Sequence, residues 1–182
     1  MLLTTFFDVE REPVVYAVLL PMAPSHGANR GSKLTKYHLA QINIAKSRAT
    51  RDSEIMKGFI DRLDEINRVA DNSPGFIWRL QTDEGDATTI QAFDDPLLLV
   101  NMSVWEDIDS LKSFVYKSLH VELIQDRDAW FKKMRESHQA LWWVPEGHLP
   151  CVNEAKEKHG YLQANGPSEI AFTFSKSFAP PI

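Results

Sequence analysis

Between Leu97 and Trp105 the side chains divide cleanly by parity. Val100, Met102 and Val104 fall on one side of an extended chain, and Asn101, Ser103 and Trp105 on the other, because successive side chains in a strand point to opposite faces. One face is apolar and the other mixes an amide, a hydroxyl and an indole. The apolar side has to be packed against another layer, so the chain is committed to a sheet with a cover rather than to a helical bundle.

Other segments supply the rest of that sheet. Tyr37 to Ile44 alternates in the same way and reads as a strand, whereas Ile55, Met56, Phe59, Ile60, Leu63, Ile66 and Val69 follow a 3.6-residue period. Asp52 or Ser53 is placed to cap that helix, and Asn72-Ser73-Pro74-Gly75 to end it. Phe76 to Gln81 reads as a second strand, with Ala87 to Phe93 as a short hairpin partner after the turn Asp83-Glu84-Gly85-Asp86. Asp107 caps a helix carrying Ile108, Leu111, Phe114 and Val115, and a further helical stretch, or a bent continuation, runs from about Ser118 to Lys132. Gln139 to Val144 is another strand, Val152 to Gln163 an amphipathic helix, and Ile170, Phe172 and Phe174 mark a final strand.

The order β-α-β-β-α-β, followed by α and β, predicts an α+β domain of the ferredoxin-like kind, with helices on one face of an antiparallel sheet. Residues 37–182 form this domain; residues 1–36, with the turn-forming run Pro24 to Ser32, read as a flexible or peripheral extension. The sheet face away from the helices calls for a cover, which two copies supply by packing face to face, so a homodimer is expected.

Composition narrows the function classes. Over 182 residues the net charge is -5 and the basic residues are scattered, which argues against nucleic-acid binding. The apolar stretch Val14 to Met22 is far short of the roughly 20 residues of a membrane helix, and Met1 to Glu10 lacks the basic residues of an export signal. With Cys151 as the single cysteine, a cytoplasmic protein without a disulfide framework is expected. No phosphate-cradling loop, nucleophile elbow or set of His and Cys at metal-binding spacing is present, so no metal site is assigned.

The segments Tyr37 to Ala45, Ser73-Pro74-Gly75-Phe76-Ile77-Trp78-Arg79-Leu80, Phe93-Asp94-Asp95-Pro96, Asn101 to Glu106, Leu111 to His120 and Leu141-Trp142-Trp143-Val144-Pro145-Glu146-Gly147-His148 resemble a bacterial family still described as a domain of unknown function. The resemblance spans about Tyr37 to Phe174. It implies the dimeric α/β-barrel superfamily, which includes the antibiotic-biosynthesis monooxygenases, cofactor-free oxygenases, heme-binding enzymes and proteins without known catalysis.

Candidate site residues follow from both lines. His120, Arg127 and apolar neighbours recur at helical spacing, which sets an imidazole and a guanidinium on one inward face; the His suits acid-base work and the Arg an anionic substrate or oxyanion. The plain alternative is a core His and an Arg paired with Glu122, Asp126 or Asp128. Asn101, Ser103 and Trp105 with Gln41 and Asn43 would form a polar floor, the alternative, favoured for Gln41, being hydrogen bonding in a dimer interface. Trp78, Arg79, Tyr116, His148 and one of Trp142 and Trp143, here Trp143, are the remaining candidates for substrate binding.

In the oxygenases the family resembles, Asn and Trp side chains hold an electron-rich substrate while it reacts with oxygen. Asn101, Trp105, His120 and Arg127 are therefore expected to be catalytic, without a cofactor, on an aromatic or polyketide-like metabolite. In the heme-degrading members a His in this part of the helix ligates iron, so heme bound through His120 is the alternative. A noncatalytic ligand-binding dimer is the third reading.

Overall fold

Strand β1 (Tyr37–Ser47) is the axis of the molecule in a computed structural model that describes residues 36–83, 85–117, 126–134 and 138–182. It pairs antiparallel with β3 (Leu98–Trp105), setting Gln41 opposite Ser103 and Asn43 opposite Asn101. Its other edge pairs with β5 (Gln139–Pro145), and near its end with the two-residue β4 (Phe131–Lys132). β2 (Phe76–Arg79) extends the sheet from β3. The strands thus follow the order of the ferredoxin-like plan, and the domain is the α+β fold the sequence predicts.

Five helices accompany the strands among the described residues: α1 (Glu54–Ile60), α2 (Leu63–Asp71), α3 (Ile108–Lys117), α4 (Arg127–Trp130) and α5 (Val152–Asn165). Their ends obey local chemistry. Ser53 Oγ accepts the Met56 amide at the start of α1, and Asp107 Oδ1 accepts the Ser110 amide at 2.8 Å at the start of α3. Between α2 and β2, Gly75 turns the chain at φ 77°, where a Cβ would lie 2.3 Å from Ser110 Oγ; no side chain fits there.

Four sequence expectations are corrected. The helix expected from about Ser53 to Val69 is broken into α1 and α2 at Asp61 and Arg62, where the Arg62 amide bonds the Phe59 carbonyl in a tighter turn; the Trp130 ring docks beside the break, against Gly58 and under Arg62 at 5.2 Å. Ala87 to Phe93 makes no hairpin strand: Asp86 Oδ1 captures the Thr88 amide at 2.7 Å and hydroxyl at 2.6 Å, and this local bonding replaces ladder bonding. The last strand reduces to two isolated bridges, Leu141 with Phe172 and Thr173 with Lys176, the first of which ties it to the sheet. Of the stretch expected to be helical from Ser118 to Lys132, residues 118–125 lie outside the described residues, and the described part is a single turn followed by β4.

The two faces of the sheet differ. Ala40, Ile42, Ile44, Val100, Met102, Val104, Ala140 and Trp142 form one continuous apolar face, closed by Ala155 and Leu162 of α5. The other face carries Leu39, Trp105 and Leu141 with Leu111 of α3 and Phe172 at one end, and polar side chains toward the middle. The homodimer was expected because the apolar face lacked a cover. The chain supplies that cover itself: α5 and its neighbours leave Ile42 and Met102 at 1% exposure.

Candidate functional site

On the polar face, the residues that alternation predicts to share a side are joined into one relay. Gln41 Nε2 donates to Asn101 Oδ1 at 2.8 Å and to Ser103 Oγ at 2.9 Å, while Trp105 Nε1 donates to the same Ser103 Oγ at 2.8 Å. An indole N–H has no acceptor role, so Ser103 must accept from it. With Oδ1 of Asn101 engaged by Gln41, the Asn101 amide is oriented so that its N–H groups turn away from the relay.

Above this floor lies a cavity of about 570 Å³, within the range of small-molecule sites. Phe59 of α1, Leu63 and Ile66 of α2, Phe114 of α3, Phe131 of β4 and Phe76 of β2 give it apolar walls. Asn43, Asn101, Arg79, Arg127, Tyr116, His138 and Gln139 reach it as polar groups. The sheet fixes the first two, since Asn43 and Asn101 are opposed in the β1–β3 register.

The charges around the cavity are mostly spoken for. Arg79 gives Nε to Asp71 Oδ1 at 2.8 Å and Nη1 to the Gly85 carbonyl at 2.7 Å, so it ties β2 to α2 and to the loop after β2. Asp86 faces Arg51 at 3.5 Å besides holding Thr88. Below the cavity, the Ser110 amide at the start of α3 holds the Asp107 carboxyl below its ordinary range, the Ser110 and Asp109 contacts adding to it against desolvation. At the far end of β1, the Lys46 ammonium at 2.8 Å does the same to Asp95.

Residues 38–182 match the family described as a domain of unknown function, DUF3291. The chain belongs to that family. No curated protein matches the chain. Among solved structures, this DUF3291 protein is similar to SnoaB, a cofactor-independent oxygenase from Streptomyces nogalater, at 15% identity and a TM-score of 0.41, over 62% of this chain and 97% of that one. It is also similar to PA3566 from Pseudomonas aeruginosa, at 11% identity and a TM-score of 0.39 over 66% and 100% of the two chains. A protein named as a candidate antibiotic biosynthesis monooxygenase from Chloroflexus aurantiacus is similar at 11% identity and a TM-score of 0.38, over 63% and 98%.

Of the residues singled out in the DUF3291 sequence, Asn43, Arg79, Asn101, Ser103, Trp105, Tyr116 and Arg127 border one cavity. Trp105 does so from behind: it is fully buried, stacked on Phe114 at 5.0 Å, and its Nε1 donates to Ser103 of the floor. Gln41 belongs to the floor of the cavity. His120 falls outside the described residues, and the heme alternative rests on it alone.

Three candidates sit elsewhere. Trp78 packs with the α5-side core, because a bulge between Phe76 and Trp78 shifts the alternation of β2 and leaves Phe76 on the cavity side. Trp143 faces the cavity side but is capped by the C-terminal segment, its Nε1 donating to the Phe178 carbonyl at 2.9 Å. His148 pairs with Glu154 of α5 at 2.7 Å, and Glu154 also accepts Trp142 Nε1, which holds this histidine near α5. Sequence reasoning missed Asp86, Thr88, His138 and Gln139 as cavity residues. Gln139 was within reach, since it shares a β5 face with Leu141 and lies opposite Asn43.

Metal chemistry has no preformed seat among the described residues, which contain no group of three or more His, Cys, Asp or Glu side chains able to hold an ion. No helix among the described residues is long and apolar enough to cross a membrane.

Proposed function

We propose that this protein is a small-molecule enzyme of the cofactor-independent monooxygenase kind, acting on an electron-rich aromatic or polyketide-like metabolite in the cavity above β1 and β3. The observation that carries the reading is the relay from Trp105 through Ser103 and Gln41 to Asn101, which presents an oriented amide to a cavity walled in part by aromatic rings. Amide N–H groups oriented in advance stabilise negative charge on a substrate oxygen without having to reorganise. A phenolate or enolate held there is rich enough in electrons to reduce dioxygen itself. The sum is a methylene and one dioxygen going to a carbonyl and one water, so the substrate supplies all the electrons and no reductant is required.

In this reading Asn101 and Asn43 hold the reacting oxygen, and Ser103, Gln41 and Trp105 position Asn101. His120 is the candidate proton carrier. The test is oxygen consumption on adding an anthrone-type probe, with mass spectrometry of the product. Carbonyl formation is expected, falling about a hundredfold in Asn101→Ala. Tight binding with the probe recovered unchanged would make the protein a noncatalytic ligand-binding module instead.

The homodimer expected from the sequence belongs to the same proposal, on a surface other than the apolar sheet face that α5 occupies. Light scattering decides it: a particle of twice 20.8 kDa supports the dimer and one of 20.8 kDa removes it.

A further inference from the structure

Among the described residues, charge pairing around the cavity leaves one cation over. Asp86 is the carboxylate that lines it among the described residues, and Arg51 and Thr88 occupy that group. Arg79 is likewise matched by Asp71. Arg127 lines the cavity from α4, is exposed, and its guanidinium has no hydrogen bond or ion pair among the described residues. The Asn101 amide, turned from the relay by Gln41, and Asn43 line the same cavity. An oriented amide donor beside one uncompensated positive charge suits an acceptor-rich monoanion; a phosphate dianion would leave a negative charge unmatched.

We infer that the ligand is an aromatic carboxylate, its ring between the Phe59, Phe114 and Phe131 walls and its carboxylate on the Arg127 guanidinium. The inference rests on the reading of this cavity as a small-molecule site, and deepens it by naming the ligand class. The guanidinium fork matches a carboxylate with two parallel N–H···O bonds, and the planar walls accept a planar ring. Arg127 is then a specificity residue: it selects the ligand without touching the carbon that reacts.

The test compares a hydroxynaphthoic acid with its neutral amide, titrated into the full chain and followed by tryptophan fluorescence. Wild-type protein is expected to bind the acid about tenfold tighter than the amide. Arg127→Met should erase that preference while leaving the affinity for the amide unchanged, and Arg127→Lys should restore part of it. Because Arg127 is exposed, its variants should unfold at the wild-type temperature, which separates lost charge from lost fold. Equal affinities in the wild type, or a preference that survives in Arg127→Met, would overturn the inference and leave the cavity reading standing. No binding of either compound would overturn both.

Discussion

The two faces of the central sheet are built from the same strands and do opposite work. Toward α5, Ile42, Met102 and Trp142 are packed to near-zero exposure in a dry apolar layer. Toward α1 to α4, their neighbours Gln41, Asn43, Asn101 and Ser103 leave a cavity with a polar floor. A single residue step along β3, from Asn101 to Met102, crosses from one regime to the other. What the contrast teaches is that stability and ligand recognition are separated here by strand parity, so a substitution on one face should spare the other.

The largest effect should come from the packed face. Trp142→Ala removes a fully buried indole and its bond to Glu154, at a cost of about 3–5 kcal/mol in chemical denaturation; a loss under about 1 kcal/mol would mean the α5 layer is not the stabilising one. On the cavity face, Ser103→Ala strands the buried Trp105 N–H and one Gln41 N–H without an acceptor. It should cost about 1–3 kcal/mol and also weaken ligand binding, since Asn101 loses its orientation.

A smaller effect belongs to Asp107 at the base of α3. Its carboxyl is depressed in the folded state, chiefly by the Ser110 amide, so the stabilisation it provides is present above the ordinary carboxylate range and fades as pH falls through the lowered folded value. Asp107→Ala should cost about 1 kcal/mol at neutral pH, and the difference from wild type should close in acid. Thermal melts across that range read it; a constant difference at every pH would refute the capping role. Least of all should come from His148→Gln, which loses an exposed pair on the α5 side worth about 0–1 kcal/mol and should leave ligand affinity unchanged. A large fall in affinity would return His148 to the site.

Much of this division was legible in the sequence. Alternation along Tyr37 to Ile44 and Leu97 to Trp105 predicted which side chains share a face, because a regular strand admits only two orientations. The same rule failed at Trp78, where one bulge in β2 reverses parity without any local sequence signal. It could not weigh Trp143, whose cover comes from Phe178, 35 residues on. Nor could it foresee that α5 folds back on the apolar face, since an amphipathic helix in a sequence does not declare which surface it will bury. The cavity residues from loops, Asp86, Thr88 and His138, were missed for a related reason: only the folded chain brings them beside β1.

The division of labour is tested most directly by two neighbours on one strand. Asn101→Ala and Met102→Ala are made separately, and each is measured for thermal unfolding and for binding of an aromatic ligand. Met102→Ala is expected to lower stability by about 2–5 kcal/mol with affinity retained in the folded protein, and Asn101→Ala to cost only about 1 kcal/mol, for the Gln41 N–H it leaves without its acceptor, while losing affinity. The reverse pattern, or equal losses on both measurements, would contradict the assignment of the cavity face to recognition and the α5 face to stability.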